Sequence, residues 1–238
     1  MTIKYQRVLL KMSGEILAGN GGVGIDRVRL DGLAGELREL QAKGVQVGLV
    51  VGGGNIFRGA AGALQGVDRV TGDHMGMLAT VINSLAVQDA LTRVGIQARV
   101  MTAVRMTQIA EPFVRRTAIE HLEQGHIVIL AGGTGNPFFT TDTAGVLRAI
   151  EIGAEVLLKG TKVDGVYDSD PVHNPNAVRY KRLSYDDALS QDLRVMDSTA
   201  FSLSRDNGMP IIVFDINAAG TLQRIVAGEE VGTLVEKG

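Results

Sequence analysis

Along the chain, short apolar runs alternate with longer stretches whose apolar residues recur every three to four positions. The runs at 8–10, 45–51, 97–102, 126–131, 155–159 and 210–214 are bounded by turn residues and read as buried strands, with an edge strand at 232–235. Leu30, Leu33, Ala34, Leu37 and Leu40 repeat at helical spacing, and Lys43-Gly44 closes that helix. From Asp73 a long pattern runs through Met75, Met77, Leu78, Val81, Ile82, Leu85, Val87 and Leu91 to Gly95. Its apolar residues occupy more than one face, which suits a helix buried on several sides, a subunit contact among them. Further helices are predicted at 113–124, started by Glu111-Pro112, and at 142–152, 184–190, 197–207 and 219–227. Residues 60–72 and 168–177 read as loops.

Strands alternating with helices, with no linker, repeat or break in composition, predict one α/β domain over residues 1–238. Its mostly parallel central sheet would be sandwiched between helices as a three-layer αβα arrangement. Ligands in such sheets sit beyond the carboxyl ends of the strands. Lys11 and residues 52–58, 132–136 and 159–161 all fall there.

Composition narrows the partners. Apolar residues are 45% of the chain and aromatics 4%, so the interior is Val, Ile, Leu, Ala and Met. Gly at 31 against Pro at 5 reads as positioned turns. A net charge of −2 with no single-sign block lacks the footprint of a nucleic-acid binder, so an anionic ligand would be small and locally bound. The absence of Cys excludes a disulfide scaffold, a thiolate metal site and cysteine catalysis. No signal region follows the N-terminal charges, and no run approaches the roughly 20 apolar residues that span a bilayer. A soluble, cytoplasmic protein with no membrane partner is expected.

The candidate chemistry lies at the strand exits. Val50-Val51 runs into Gly52-Gly53-Gly54-Asn55-Ile56-Phe57-Arg58. Residues without Cβ let a ligand approach the main chain, and Arg58 offers a planar fork of donors for phosphate. Lys11 beside Ser13 and Gly14, and the second glycine exit Gly132-Gly133-Thr134-Gly135-Asn136-Pro137, add to a site for more than one phosphate. The Walker A pattern and the protein-kinase motifs are absent. Gly19-Asn20-Gly21-Gly22-Val23-Gly24 fits GxGxxG by letter but neither leaves a strand directly nor opens a helix, so it is read as a flexible loop.

No His/Asp/Glu cluster has the spacing of a fixed metal cage, and Asp73 and His74 diverge on a helix. Phosphoryl transfer needs alignment and positive charge more than covalent help. Lys11 and Arg58 would supply that charge alongside nucleotide-borne Mg²⁺. Asp73, Asp142, Asp164, Asp170 and Asp197 all lie at predicted element ends or turns, where about half would be caps or Asx turns. The others would accept hydrogen bonds from ribose hydroxyls or orient the lysine.

These segments resemble the bacterial uridylate (UMP) kinase family within the amino acid kinase superfamily, over nearly the whole chain. The resemblance rests on Leu10-Lys11-Met12-Ser13-Gly14-Glu15, the glycine triplet through Gly59, Gly72-Asp73-His74-Met75-Gly76-Met77 and Gly135-Asn136-Pro137-Phe138-Phe139-Thr140-Thr141-Asp142. Thr161-Lys162-Val163-Asp164-Gly165-Val166-Tyr167 and Val195-Met196-Asp197 extend it. It implies transfer of the ATP γ-phosphoryl group to UMP with Mg²⁺ in pyrimidine nucleotide synthesis, by a homohexamer regulated by GTP and UTP. Lys11, Met12, Ser13, Gly14, Gly54 and Arg58 would meet the ATP phosphates, and Thr161, Tyr167 and Asp170 the adenosine. Gly53 and Asp73 would hold UMP, with Thr134, Gly135, Asn136, Pro137, Phe138, Phe139, Thr140 and Thr141 wrapping its phosphate and base. Lys11, Arg58, Asp142 and Asp197 would be catalytic, Asp142 and Asp197 positioning Lys11. The loop at Gly19, Asn20, Gly21, Gly22, Val23 and Gly24 would be the region sensitive to GTP. Two alternatives stay open: a relative acting on a carboxylate or carbamate, and a non-catalytic nucleotide or oxyanion binder.

Overall fold

The computed structural model describes residues 3–57, 66–171, 173–191, 193 and 196–238. Among these described residues, nine strands form one sheet: β1 (Arg7–Met12), β2 (Gln46–Val51), β3 (Ala98–Thr102), β4 (Glu111–Pro112), β5 (Ile127–Ala131), β6 (Val156–Thr161), β7 (Arg182–Ser184), β8 (Ile211–Asp215) and β9 (Thr233–Glu236). The helices are α1 (Arg27–Ala42), α2 (Arg69–Arg93), α3 (Arg115–Glu123), α4 (Thr141–Glu151), α5 (Tyr185–Ser190), α6 (Ser198–Asn207) and α7 (Thr221–Val226). The sheet order is β4-β3-β5-β2-β1-β6-β8-β9-β7, and every pairing is parallel except β8 with β9.

Both faces are covered, as the predicted three-layer arrangement requires. The two-residue period of β1 sends Val8, Leu10 and Met12 into the cluster that packs with Leu33, Leu37 and Leu40 of α1, and Leu9 into the opposite cluster with Val146 and Ala149 of α4. β6 divides the same way, with Val156 and Leu158 facing α1 and Leu157 facing α4. Lys11 and Lys159 share the parity of Leu9 and Leu157, and they pair directly across the β1–β6 ladder. A helix-covered face has therefore received two cations.

Several boundaries differ from expectation. The long helix starts at Arg69, because Asp68 caps it by accepting the Thr71 N–H at 3.1 Å. Asp73 thus lies inside the helix and is not an element end. Glu111-Pro112 forms a short strand beside β3 and does not begin a helix; a proline is tolerated at the sheet edge, and α3 starts at Arg115. The C-terminal strand is not the edge either, since β7, hidden in sequence by its three-residue length, pairs outside it. Residues 60–65 of the predicted 60–72 loop lie outside the described residues. Among the described residues, no helix is long and apolar enough to cross a membrane.

Candidate active site

The carboxyl ends of β1, β2, β5 and β6 meet along one edge, and α4 begins over them. Thr140 caps α4 by accepting the N–H groups of Asp142 (3.0 Å) and Thr143 (3.3 Å). This places Asp142 in the first turn, where the helix dipole favours a carboxylate. Gly145, one turn on, has no side chain to hold α4 away from the Lys11 stem: a Cβ there would lie 3.2 Å from Lys11 Cγ. Lys11 Nζ contacts Asp142 Oδ1, and Lys159 Nζ donates to Asp142 Oδ2 at 2.8 Å. The three side chains are only 10%, 15% and 13% exposed.

The electrostatics follow from that burial. Desolvation works to raise the Asp142 pKa, but the Lys11 and Lys159 ammonium groups outweigh it and hold the carboxyl below its ordinary range. Burial, aided by Lys11, pushes the Lys159 ammonium below the ordinary lysine value, with Asp142 opposing. One carboxylate thus holds two closely spaced cations at the end of adjacent strands. Two ammonium groups held together at the strand ends suit an anionic ligand.

A cavity opens on each side of this group. The first, about 160 Å³, is lined by Gly53, Phe57, Gly72, Asp73, Gly76, Met77, Thr80, Gly133, Thr134, Asn136, Phe139, Thr140 and Thr141. The second, about 480 Å³, includes Lys159, Thr161, Val166, Tyr167, Asp170, Gln191, Leu193 and Val213. Thr141 in the first adjoins Asp142, and Lys159 in the second is bonded to it, so the ion triad lies between the two. A third cavity, about 260 Å³, lies against α1, where Arg29 bonds to Asn217 and Glu36 accepts the Gly220 N–H.

In the first cavity, Asp73 Oδ2 accepts the Phe138 N–H (2.7 Å) and the Arg69 Nε–H (2.9 Å). Burial opposes ionisation there, yet these two donors hold the carboxyl below its ordinary range. The bond ties α2 to the loop after β5. Phe138 adopts φ 73°, the single described non-glycine residue at positive φ, and its ring lies exposed beneath the Arg69 guanidinium. Thr80 Oγ1 accepts the Gly132 N–H at 2.8 Å, a second tie between α2 and β5.

Of the residues expected around an acceptor, Gly53, Asp73, Thr134, Asn136, Phe139, Thr140 and Thr141 line this cavity. Gly135, Pro137 and Phe138 shape its loop from outside. Thr161, Tyr167 and Asp170 line the other cavity. Met12 is fully buried and lines the third cavity, against α1. Ser13 caps the turn at Gly14–Ile16 by accepting the Glu15 N–H at 3.3 Å. Gly54 continues the turn from β2, while Arg58 lies outside the described residues.

Asp197 caps α6 through the Ala200 N–H and accepts the hydroxyls of Thr140 and Thr143. It meets the triad through the α4 cap and its field on Lys159, with no direct bond to Lys11 among the described contacts. The 19–24 loop, expected to be flexible, contains a short 3-10 turn at Gly19–Gly21 and is docked where the Gly24 N–H donates to the Asn55 carbonyl at 2.9 Å.

Two of the three tandem glycines serve packing as well as ligand approach. A Cβ on Gly53 would lie 2.8 Å from Ala79 Cβ and from the Gly76 carbonyl oxygen, and one on Gly52 would lie 3.2 Å from Gly14 N. None of the three adopts positive φ. Sequence reasoning missed the paired role of Lys159, together with Phe57, Met77 and Thr80. The available signal for Lys159 was a lone cation ending an otherwise apolar strand run at the parity of Lys11.

The family model for the amino acid kinase family matches residues 6–215. A protein named uridylate kinase from Xanthomonas oryzae pv. oryzae is 58% identical over 98% of both chains. Among solved structures, the UMP kinase of Bacillus anthracis is similar with a TM-score of 0.95 and 44% identity, covering 98% of this chain and 96% of that one. The UMP kinase of Ureaplasma parvum is similar with a TM-score of 0.92 and 35% identity, covering 99% of this chain and 100% of that one.

Proposed function

Since the chain belongs to the amino acid kinase family, we propose that it transfers the γ-phosphoryl group of ATP to UMP, giving ADP and UDP. The observation that carries the reading is the Lys11–Asp142–Lys159 triad between two cavities. The names of the similar proteins supply the acceptor. UMP enters the cavity of Asp73 and Thr141, and the adenosine of ATP enters the cavity of Thr161, Tyr167 and Asp170.

The UMP phosphate oxygen attacks the γ-phosphorus in line, its bond forming as the β,γ-bridging P–O bond breaks with the electron pair leaving on ADP. Lys11 and Lys159 stabilise the charge on the transferring and leaving oxygens, as pre-aligned cations do in a water-poor site. Asp142 positions both ammonium groups, and Arg58 is the further donor assigned to the ATP phosphates. Mg²⁺ arrives on the ATP phosphates as part of the substrate. Among the described residues no group of three His, Asp or Glu side chains is spaced to hold a metal, and an ion that keeps its waters and binds phosphates needs no such cage.

Asp73 holds the uridine ribose through Oδ1, its Oδ2 being committed to Phe138 and Arg69. Activation by GTP through the 19–24 loop, inhibition by UTP, a homohexamer, a cytoplasmic location and a place in pyrimidine nucleotide synthesis complete the proposal. Exposed Met75, Leu78 and Ile82, spaced along one face of α2, support self-association. The test is a steady-state assay of purified protein with Mg·ATP against UMP, CMP, dUMP and acetylglutamate. UDP formation far exceeding the other products is expected; absence of UDP overturns the reading.

A further inference from the structure

Asn55 and Asn83 are 2% and 0% exposed. Buried amides are tolerated when their polar atoms find partners. Here the two amides bond reciprocally: Asn83 Nδ2 donates to Asn55 Oδ1 at 2.7 Å and Asn55 Nδ2 to Asn83 Oδ1 at 3.1 Å. Each amide has a second N–H, and each second N–H goes to a loop carbonyl at the sheet edge. Asn83 donates to the Gly52 carbonyl at 2.7 Å, and Asn55 to the Gly24 carbonyl at 2.7 Å.

The pair also bounds a third segment. A Cβ on Gly14 would lie 2.3 Å from Asn55 Oδ1, 2.3 Å from the Gly52 carbonyl oxygen and 3.0 Å from Asn83 Nδ2. The loop after β1 therefore rests directly on the amide pair. Asn83 belongs to α2, the helix whose Asp73, Gly76, Met77 and Thr80 wall the smaller cavity. A single rigid helix thus carries one wall of the acceptor cavity and an anchor for the loop assigned to the donor phosphates.

We propose that Asn83, acting through Asn55, is a positioning residue that fixes the spacing of donor and acceptor phosphates. The proposal rests on the phosphoryl-transfer reading above. Each nucleotide base has its own cavity away from the amides, so slack between the loops disturbs in-line alignment more than binding. A misplacement of about 1 Å costs a rate factor of about 10².

The test compares Asn83→Leu, Asn55→Leu and the double variant with wild type, measuring kcat, both KM values and Tm. Each single variant should lower kcat about 10²-fold with KM values within about twofold, and should lower Tm because the partner amide is left unsatisfied. Replacing both amides removes their mutual mismatch, so the double variant loses less Tm than the two single losses added together, while kcat stays low because nothing holds the Gly52 and Gly24 carbonyls. Recovery of kcat together with Tm in the double variant would show a purely structural role and overturn the proposal, as would single variants with wild-type kcat. If the leucine variants do not fold, Asn83→Ser in the same assay must show the kcat loss at constant KM, and wild-type kcat there overturns it. Wild-type UDP formation in parallel distinguishes failure of the transfer reading, which removes both.

Discussion

Asp142→Asn keeps the shape of the side chain and removes the one anion shared by two buried cations. Lys11 and Lys159 face each other across β1 and β6, and their side chains are about nine-tenths buried. Taking away a buried partner leaves uncompensated charge and costs about 3–5 kcal/mol. For a chain of this size each kcal/mol moves Tm by about 2–4 °C, so a fall of roughly 6–20 °C is expected.

The pH dependence has a fixed sign. Losing the carboxylate pushes Lys159 further below its ordinary value of 10.5. The unfolded chain then binds more protons than the folded one in the window between that lowered value and 10.5, so the variant gains stability as pH rises through it. Loss of the alignment of the transferring cations should lower kcat about 10²- to 10³-fold. The basic limb of the kcat profile should move to lower pH, because the ammonium deprotonates more easily. A coupled ADP-release assay across pH, with thermal melts in the same buffers, checks both. Wild-type kcat, or a basic limb that moves to higher pH, would show that Asp142 does not hold the two ammonium groups for transfer.

Lys159→Met should lower kcat at least about 10²-fold while leaving UMP binding by calorimetry near wild type. Equal kcat would show that Lys11 suffices. Gly53→Ala places a Cβ 2.8 Å from α2; the expected destabilisation is about 1–3 kcal/mol, with a raised KM for UMP, and an unchanged urea midpoint contradicts it. The Asp73 carboxyl is held below 3.8 in the folded protein, so its stabilising contribution is complete above that pH and is lost as pH falls through the lowered value. The stability deficit of Asp73→Asn, measured by urea unfolding, should therefore shrink between about pH 7 and about pH 3, and a constant deficit contradicts the assignment.

Much of this architecture was legible in the residues because parallel strands covered on both faces must be near-continuous apolar runs, and those runs stand out. Because ligands in such sheets sit at the carboxyl edge, Lys11, the tandem glycines and residues 132–136 and 159–161 fall in one place without knowledge of any contact. Short or edge elements escaped. β7 and β4 have three and two residues, too few for a period to register. Asp68 won the cap over Asp73 through local hydrogen bonding, which composition does not rank.

The triad itself was half visible. Lys11 and Asp142 could be named and Lys159 placed at the same sheet edge, but its pairing with Lys11 across Asp142 follows from strand register, a long-range property. In sequence the tandem glycines read as room for a ligand to approach the main chain. The contacts at Gly52 and Gly53 require them for backbone packing as well as permitting that approach.

In the proposed reaction a phosphoryl group passes between the two cavities under Lys11 and Lys159. A crystal structure with UMP and a non-hydrolysable ATP analogue tests it most directly. The expected structure has the UMP phosphate beside Thr141, the adenosine beside Tyr167 and Asp170, and the terminal phosphate of the analogue between them within hydrogen-bonding distance of both lysine ammonium groups. Nucleotides bound in these cavities with the terminal phosphate turned away from the triad, or bound elsewhere on the chain, would contradict it.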